Sequence, residues 1–307
     1  MQQREGGRLV VFGWHNVEPT WYFAPRRGSG PHGLTQQLRL LRTFANVLPL
    51  ESALADLTAG RPLPPRAVAL TFDDGYRDNL TVAGPILRDL GLPATCFLVP
   101  GLLSRTTRAW WEELAHAVAN ATANEIVWKQ QKYPLRTTAE RRATLSPLAQ
   151  ALKDRDRTSR EAAVDEVVEL LAPRRRYHVD ETFMDWDEAA RLRDYMTIGS
   201  HSLHHAILAQ EDDDAQTADL CSARAQLQDG LGVEAPVLAY PNGSASDYGT
   251  GTFEAAHRAG HSHAVTTRPG VNRATTPRYE VRRIMMNPER GAVELTKILR
   301  DAVAGGR

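Results

Sequence analysis

The sequence predicts an α/β fold in which parallel strands close into a barrel with helices outside, and three observations carry that expectation. Short β-branched runs alternate with stretches of helical periodicity, the pattern left by parallel strands joined through crossover helices. The 307 residues hold roughly seven such runs, enough strands to close a barrel. The polar residues that most need explaining fall just after the runs, and parallel barrels carry their sites at the carboxyl ends of the strands.

Leu9-Val10-Val11-Phe12 is the first run, and apolar residues at helical spacing from Leu34 to Phe44 follow it. Ala67 to Phe72 reads as a buried strand ending in Asp73-Asp74-Gly75, and Asn79 to Leu90 as the next helix, stopped by Gly91 and Pro93. Thr95 to Val99 is the third run. Residues from about 110 to 180 break the alternation. That segment is helical in pattern, dense in Arg, Glu and Ala, and is expected to be an inserted excursion without a strand between Trp128 and Pro173; its Arg174-Arg175-Arg176 cluster reads as a solvated face. The alternation resumes with a capping box, Asp185 with Glu188, opening a helix through Arg193. Met196 to Gly199 is the next strand. A helix from Asp214 to Leu231 follows, its positive end complemented by the acidic residues 211–214. Val237 to Tyr240, a helix over Thr252 to Ala259, His263 to Thr266 and Arg283 to Met286 complete the pattern. No linker stands out, so residues 1–307 are expected to form one domain carrying the insertion.

Composition removes several classes of function. Acidic and basic side chains number 37 each, which leaves no net field for nucleic acid or a membrane surface. Cys96 and Cys221 are too few and too scattered for a disulfide framework or a thiolate metal site, and both are expected to be buried fillers. The polar start of the chain precedes an apolar run too short for a signal peptide core or a membrane span, so a cytoplasmic protein is expected.

Two adjacent carboxylates at a strand mouth repel and lose hydration unless a cation binds them or their proton affinities are split. Gly75 lets the backbone turn so that Asp73 and Asp74 approach one site, although a plain strand end, with Asp74 or Asp78 capping the next helix, fits the same residues. Ser200-His201-Ser202-Leu203-His204-His205 tips the balance. His201 and His205 are four apart, so on one helical turn their rings share a face; His204, three from His201, is also nearly in reach. One carboxylate and two imidazoles hold a divalent ion with positions left open, the pattern of a catalytic site.

In these residues the chain resembles the polysaccharide deacetylases, the NodB-homology group of carbohydrate esterases, from about Val10 to Ile284. TFDDG at 71–75 and HSLHH at 201–205 are similar to the family's first two motifs. The resemblance implies a distorted (β/α)7 barrel, Asp73 as catalytic base, and Asp74, His201 and His205 as ligands of one divalent metal, zinc foremost, with cobalt, nickel or iron also suited. LAYPNG at 238–243 is similar to the third motif with two departures. Ala239 stands where many members have an arginine that orients the base, for which Arg283 is the stand-in candidate. Asn242 stands where the oxyanion-binding backbone amide usually belongs to tyrosine. The general-acid histidine, usually near the end of the domain, has no convincing counterpart there. The opening Gly13-Trp14-His15-Asn16-Val17 instead resembles the permuted branch that includes poly-N-acetylglucosamine deacetylases, which makes His15 the candidate acid and His257, His261 and His263 its competitors.

The implied activity is hydrolysis of N-acetyl or O-acetyl groups on a sugar or glycan by metal-activated water. Trp14, Trp110, Trp111, Trp186 and Tyr240 are the aromatics considered for stacking on sugar rings. Two other readings stay open: a hydrolase of another linear or cyclic C–N bond, and a carbohydrate-binding relative without turnover.

Overall fold

The computed structural model describes residues 7–24, 30–286, 295–298 and 300. The strands are β1 (Leu9–Trp14), β2 (Asn46–Val47), β3 (Ala67–Phe72), β4 (Thr95–Leu98), β5 (Glu125–Trp128), β6 (Gln131–Pro134), β7 (Thr197–Ser200), β8 (Val237–Ala239), β9 (His263–Val265) and β10 (Arg283–Met285). The α-helices are α1 (Gly30–Phe44), α2 (Leu50–Thr58), α3 (Gly84–Leu90), α4 (Pro100–Leu103), α5 (Trp110–Ala119), α6 (Thr138–Lys153), α7 (Arg157–Leu171), α8 (Trp186–Leu192), α9 (Asp213–Leu231) and α10 (Thr250–Arg258).

The main sheet runs β10-β1-β3-β4-β7-β8-β9, every neighbouring pair parallel, with β2 beside β3. These are the seven strands expected from the sequence. The two ends nearly close on each other: Val265 bridges Val281 in parallel, and Thr266 N–H donates to the Val281 carbonyl at 2.8 Å. An α/β barrel surrounded by helices is the observed architecture.

Strand alternation builds its two shells. Leu9, Val11, Ala67, Ala69, Phe97, Val237, Ala239 and Val265 pack together inside the barrel, over Leu50, Leu54 and Leu57 of α2. The intervening Val10, Phe12, Val68, Leu70 and Phe72 face outward against Leu34, Leu38, Leu41 and Leu87 of α1 and α3. Burial on both faces gives the near-continuous apolar runs that made these strands legible.

Cap chemistry sets the helix ends. Asp185 and Glu188 form the expected capping box on α8, Asp212 accepts from Ala215 N–H at the start of α9, and Gly91 and Gly232 end α3 and α9 in the left-handed conformation. The insertion departs from expectation, because β5 and β6 form an antiparallel hairpin inside it. With α5, α6 and α7 the hairpin shares a core that includes Trp110, Trp111, Trp128, Leu148, Val164 and Leu171. Cys221 is exposed rather than buried, whereas Cys96 is in the core. Among the described residues no helix is long and apolar enough to cross a membrane.

Candidate metal centre and active-site cavity

The alternation that points Ala67 and Ala69 into the barrel continues through Thr71 to Asp73. There Asp73 meets Arg283, which enters from β10. The guanidinium donates to both carboxylate oxygens, Nη1 to Oδ1 at 2.7 Å and Nη2 to Oδ2 at 2.8 Å, and both side chains are buried. Arg283 Nε donates to the Thr266 carbonyl, and its plane lies over Phe97. Burial pushes the Asp73 carboxyl up, but the charges of Arg283 and His201 and the Arg283 hydrogen bonds outweigh it, so it ionises more readily than an ordinary aspartate. Asp73 does not line the cavity described below, and each of its oxygens keeps a second lone pair.

Asp74 and Gly75 both turn left-handed, at φ +73° and +78°. That turn swings Asp74 out of the strand alternation toward the loop after β7. A side chain at Gly75 would press on Leu98. Asp74 Oδ1 lies 3.2 Å from Nε2 of both His201 and His205. One ligand atom from each of the three residues falls within 4.8 Å of the others. The expected shared helical face is not how this happens. Residues 201–205 are a loop, in which left-handed turns at Ser202 and His205 bring the imidazoles round. Asp219 of α9, which sequence reasoning missed, holds that loop by accepting from the N–H groups of Leu203 and His204. Its trace in the sequence is an acid on the buried stripe Gln216, Asp219, Leu220, Ala223. His204 turns away to Thr107 Oγ1 at 2.6 Å and takes no part in the cluster.

The residues fit a divalent ion. His201 Nδ1 donates to the Ala239 carbonyl at 2.7 Å, which leaves its Nε2 lone pair facing Asp74. The His205 ring packs on Trp111, centroids 4.4 Å apart. Asp74 Oδ1 is buried without a hydrogen-bond partner. Converging lone pairs in a buried place are unfavourable unless a cation lies among them, and two imidazoles with one carboxylate suit zinc, cobalt, nickel or iron.

Asp74 and His205 open on a cavity of about 410 Å³, which His15 and Asn242 also line. His15 sits in the loop after β1, its ring stacked on Phe23 at 5.3 Å. Asn242 takes φ +59°, a left-handed conformation that asparagine tolerates better than most side chains. The competing histidines lie elsewhere. His257 is on α10, His261 is buried, His263 bonds Thr58 at 2.8 Å, and none of the three lines the cavity. Of the stacking candidates, Trp110 and Trp111 line it. Trp14 donates to Gln37, Trp186 to Ser104 and Tyr240 to the Tyr279 carbonyl, all away from it. Tyr22 and Phe23, not singled out from the sequence, do line it. So does the insertion, through α5 and the end of α6 at Lys153, although its sequence offered no chemistry. The Arg174–Arg176 cluster is exposed, as expected.

The family model described as Polysaccharide deacetylase matches residues 60–264. No curated protein matches the chain. Among solved structures it is similar to the Streptococcus pyogenes deacetylase PplD in complex with acetate, at 18% identity over 96% of this chain and 98% of that one, TM-score 0.63. IcaB from Ammonifex degensii is similar at 18% identity, 96% and 98% coverage and TM-score 0.61. A de-N-acetylase from Aggregatibacter actinomycetemcomitans is similar at 16% identity, 95% and 99% coverage and TM-score 0.59. At such identities the likeness is one of fold. The family match spans more than half of the chain and includes Asp73, Asp74, His201 and His205. The chain therefore belongs to the polysaccharide deacetylase family.

Proposed function

We propose that this chain is a metal-dependent hydrolase that removes N-acetyl groups from a sugar or glycan, acting as one domain with Asp74, His201 and His205 as metal ligands. The observation that carries the reading is the convergence of those three side chains on one another, beside the Arg283-held Asp73, with Asp74 and His205 opening on the cavity that His15 also lines. A divalent ion held by Asp74, His201 and His205 would supply Lewis acidity to the hydrolysis. Asp73, kept anionic by Arg283, takes the proton from the attacking water. The backbone N–H of Asn242 is the donor assigned to the acyl oxygen as charge develops there, a contribution of roughly 3 kcal/mol for a well-placed donor. His15 protonates the departing amine. Trp110 and Trp111 offer apolar faces to the sugar. The name of PplD, a deacetylase in complex with acetate, agrees with acetyl chemistry in this fold.

Metal content tests the ligand assignment. Elemental analysis of the purified protein is expected to find one divalent ion per chain, and the His201→Ala/His205→Ala variant is expected to lose it while its circular dichroism is unchanged. Stoichiometric metal in that folded variant would rule the assignment out. Asp73→Asn is expected to keep the ion and lose about 10²–10⁴-fold in turnover, the range of general acid–base catalysis. Loss of the metal with undiminished substrate binding would contradict that division of labour. A panel of N-acetyl sugars, aryl acetates and cyclic imides tests the reaction class, and turnover of the imides alone would replace the present reading.

A further inference from the structure

Asp78 stands where a helix cap is expected, just before the π-helical turn Asn79–Ala83 that leads into α3. Its side chain makes no cap hydrogen bond. Its Oδ2 instead accepts the backbone N–H groups of both Val17 and Glu18, at 2.7 Å each. The adjacent Asn79 Nδ2 donates to the His15 carbonyl at 2.8 Å and to Asp78 Oδ1 at 3.2 Å. Two consecutive side chains thus hold three backbone groups of the loop that presents His15. Neighbouring Arg77 does not neutralise Asp78, being engaged with Glu188 at 2.9 Å.

Stability does not account for a carboxylate here. Burial pushes the Asp78 carboxyl up to about 6, even with its hydrogen-bond donors in place. The sign follows: with the folded value above the unfolded one, the ionised form is disfavoured by folding. The penalty appears as pH rises past the ordinary carboxylate range and is complete above about 6. At neutral pH the fold tolerates this charge at a cost, a pattern that marks functional positions. What the charge provides is two short, charge-assisted hydrogen bonds to a loop that otherwise has little regular structure. On the other side of His15, Phe23 stacks on the ring, and the Phe23 N–H bonds Thr20, which in turn donates to the buried Glu112 of α5.

We propose that Asp78, assisted by Asn79, is a positioning residue for His15, fixing the loop after β1 so that the imidazole is held at the cavity. This rests on the reading of His15 as the proton donor, and the test separates the two. Activity of Asp78→Ala is measured on an N-acetyl sugar and on an aryl acetate, whose phenolate leaves without a proton. A misplaced acid slows only the amide. The expected loss is about 10–100-fold on the amide, the scale of an ångström-sized misplacement, with the ester within about threefold of the parent. Added to His15→Ala, the substitution is expected to change amide turnover by less than about threefold, because residues acting through one group are not additive. Asp78→Asn keeps an acceptor oxygen and is expected to lie between parent and Asp78→Ala. If Asp78→Ala does not fold, Asp78→Asn carries the test: an amide-to-ester ratio that falls supports the proposal, and an unchanged ratio overturns it. Equal losses on both substrates, or a further amide loss on the His15→Ala background, would also overturn it. Should His15→Ala itself show no amide selectivity, the reading of His15 fails first.

Discussion

Replacing Arg283 by methionine is expected to destabilise the protein by about 3–5 kcal/mol, measured by urea unfolding with a chelator present so that metal loss does not contribute. The wild-type pair is bidentate and fully enclosed, with Arg283 at 0% and Asp73 at 1% exposure. Removing the guanidinium takes the main opposing charge and its two hydrogen bonds from a buried carboxylate, and that under-compensated charge accounts for most of the loss. The double variant Asp73→Asn/Arg283→Met is therefore expected to regain most of the stability. The pH dependence has a definite sign. In the wild type the Asp73 carboxyl is held below its ordinary value, so the pair contributes fully above the unfolded carboxylate range, and the contribution is lost as pH falls through the lowered value. In Arg283→Met, burial acts without its main opponent, the carboxyl protonates more readily, and the gap to the wild type is expected to narrow in acid. A deficit below about 1 kcal/mol at neutral pH, or one that widens in acid, would mean that the pair does not hold Asp73 as described.

What the sequence revealed about this site followed from residue type more than from local geometry. The convergence of Asp74, His201 and His205 was expected from their residue types, since few arrangements other than a metal site bring two imidazoles and a carboxylate to strand ends, and the fold does bring them together. The shared helical face, inferred from spacing alone, was wrong: the loop after β7 achieves the same convergence through positive φ at Ser202 and His205, which spacing does not encode. The hairpin of β5 and β6 left no signal for a related reason. Its turn puts Lys129 and Gln130 at φ +49° and +65°, where asparagine or glycine is the usual marker. Its strands are half exposed, so they lack the apolar run that betrayed the barrel strands. Asp78, read only as a possible helix cap, and Asp219, passed over, both act on the backbone of loops distant in sequence, and only the fold brings those loops to them.

Barrel order explains how residues outside the matched 60–264 come to lie beside the candidate site. Strand β1 lies between β10 and β3, with Val11 opposite both Arg283 and Ala69. A loop leaving β1 therefore emerges beside the end of β3, and Asp73 N–H donates to the Trp14 carbonyl at 2.9 Å, one residue before His15. The first strand and the last thereby bring Arg283 to Asp73 and His15 to the cavity on which Asp74 opens. Arg283 and His15, the candidates for the absent third-motif arginine and C-terminal histidine, thus lie near Asp73 and Asp74 in space though far from them in sequence.

That placement leads to the prediction that His15→Ala slows hydrolysis of an N-acetyl sugar by about 10²–10⁴-fold while leaving an aryl acetate far less affected. An amine is a poor leaving group until it is protonated, so the C–N bond depends on an acid that the ester does not need. His15 lines the cavity without belonging to the Asp74-His201-His205 cluster, and its loop is fastened by Asp78 and Asn79. Metal content should be unchanged in the variant, which separates this role from that of His205 on the same cavity. A loss of equal size on both substrates, or an amide-selective loss on replacing His261 or His263 instead, would transfer the proton to another donor.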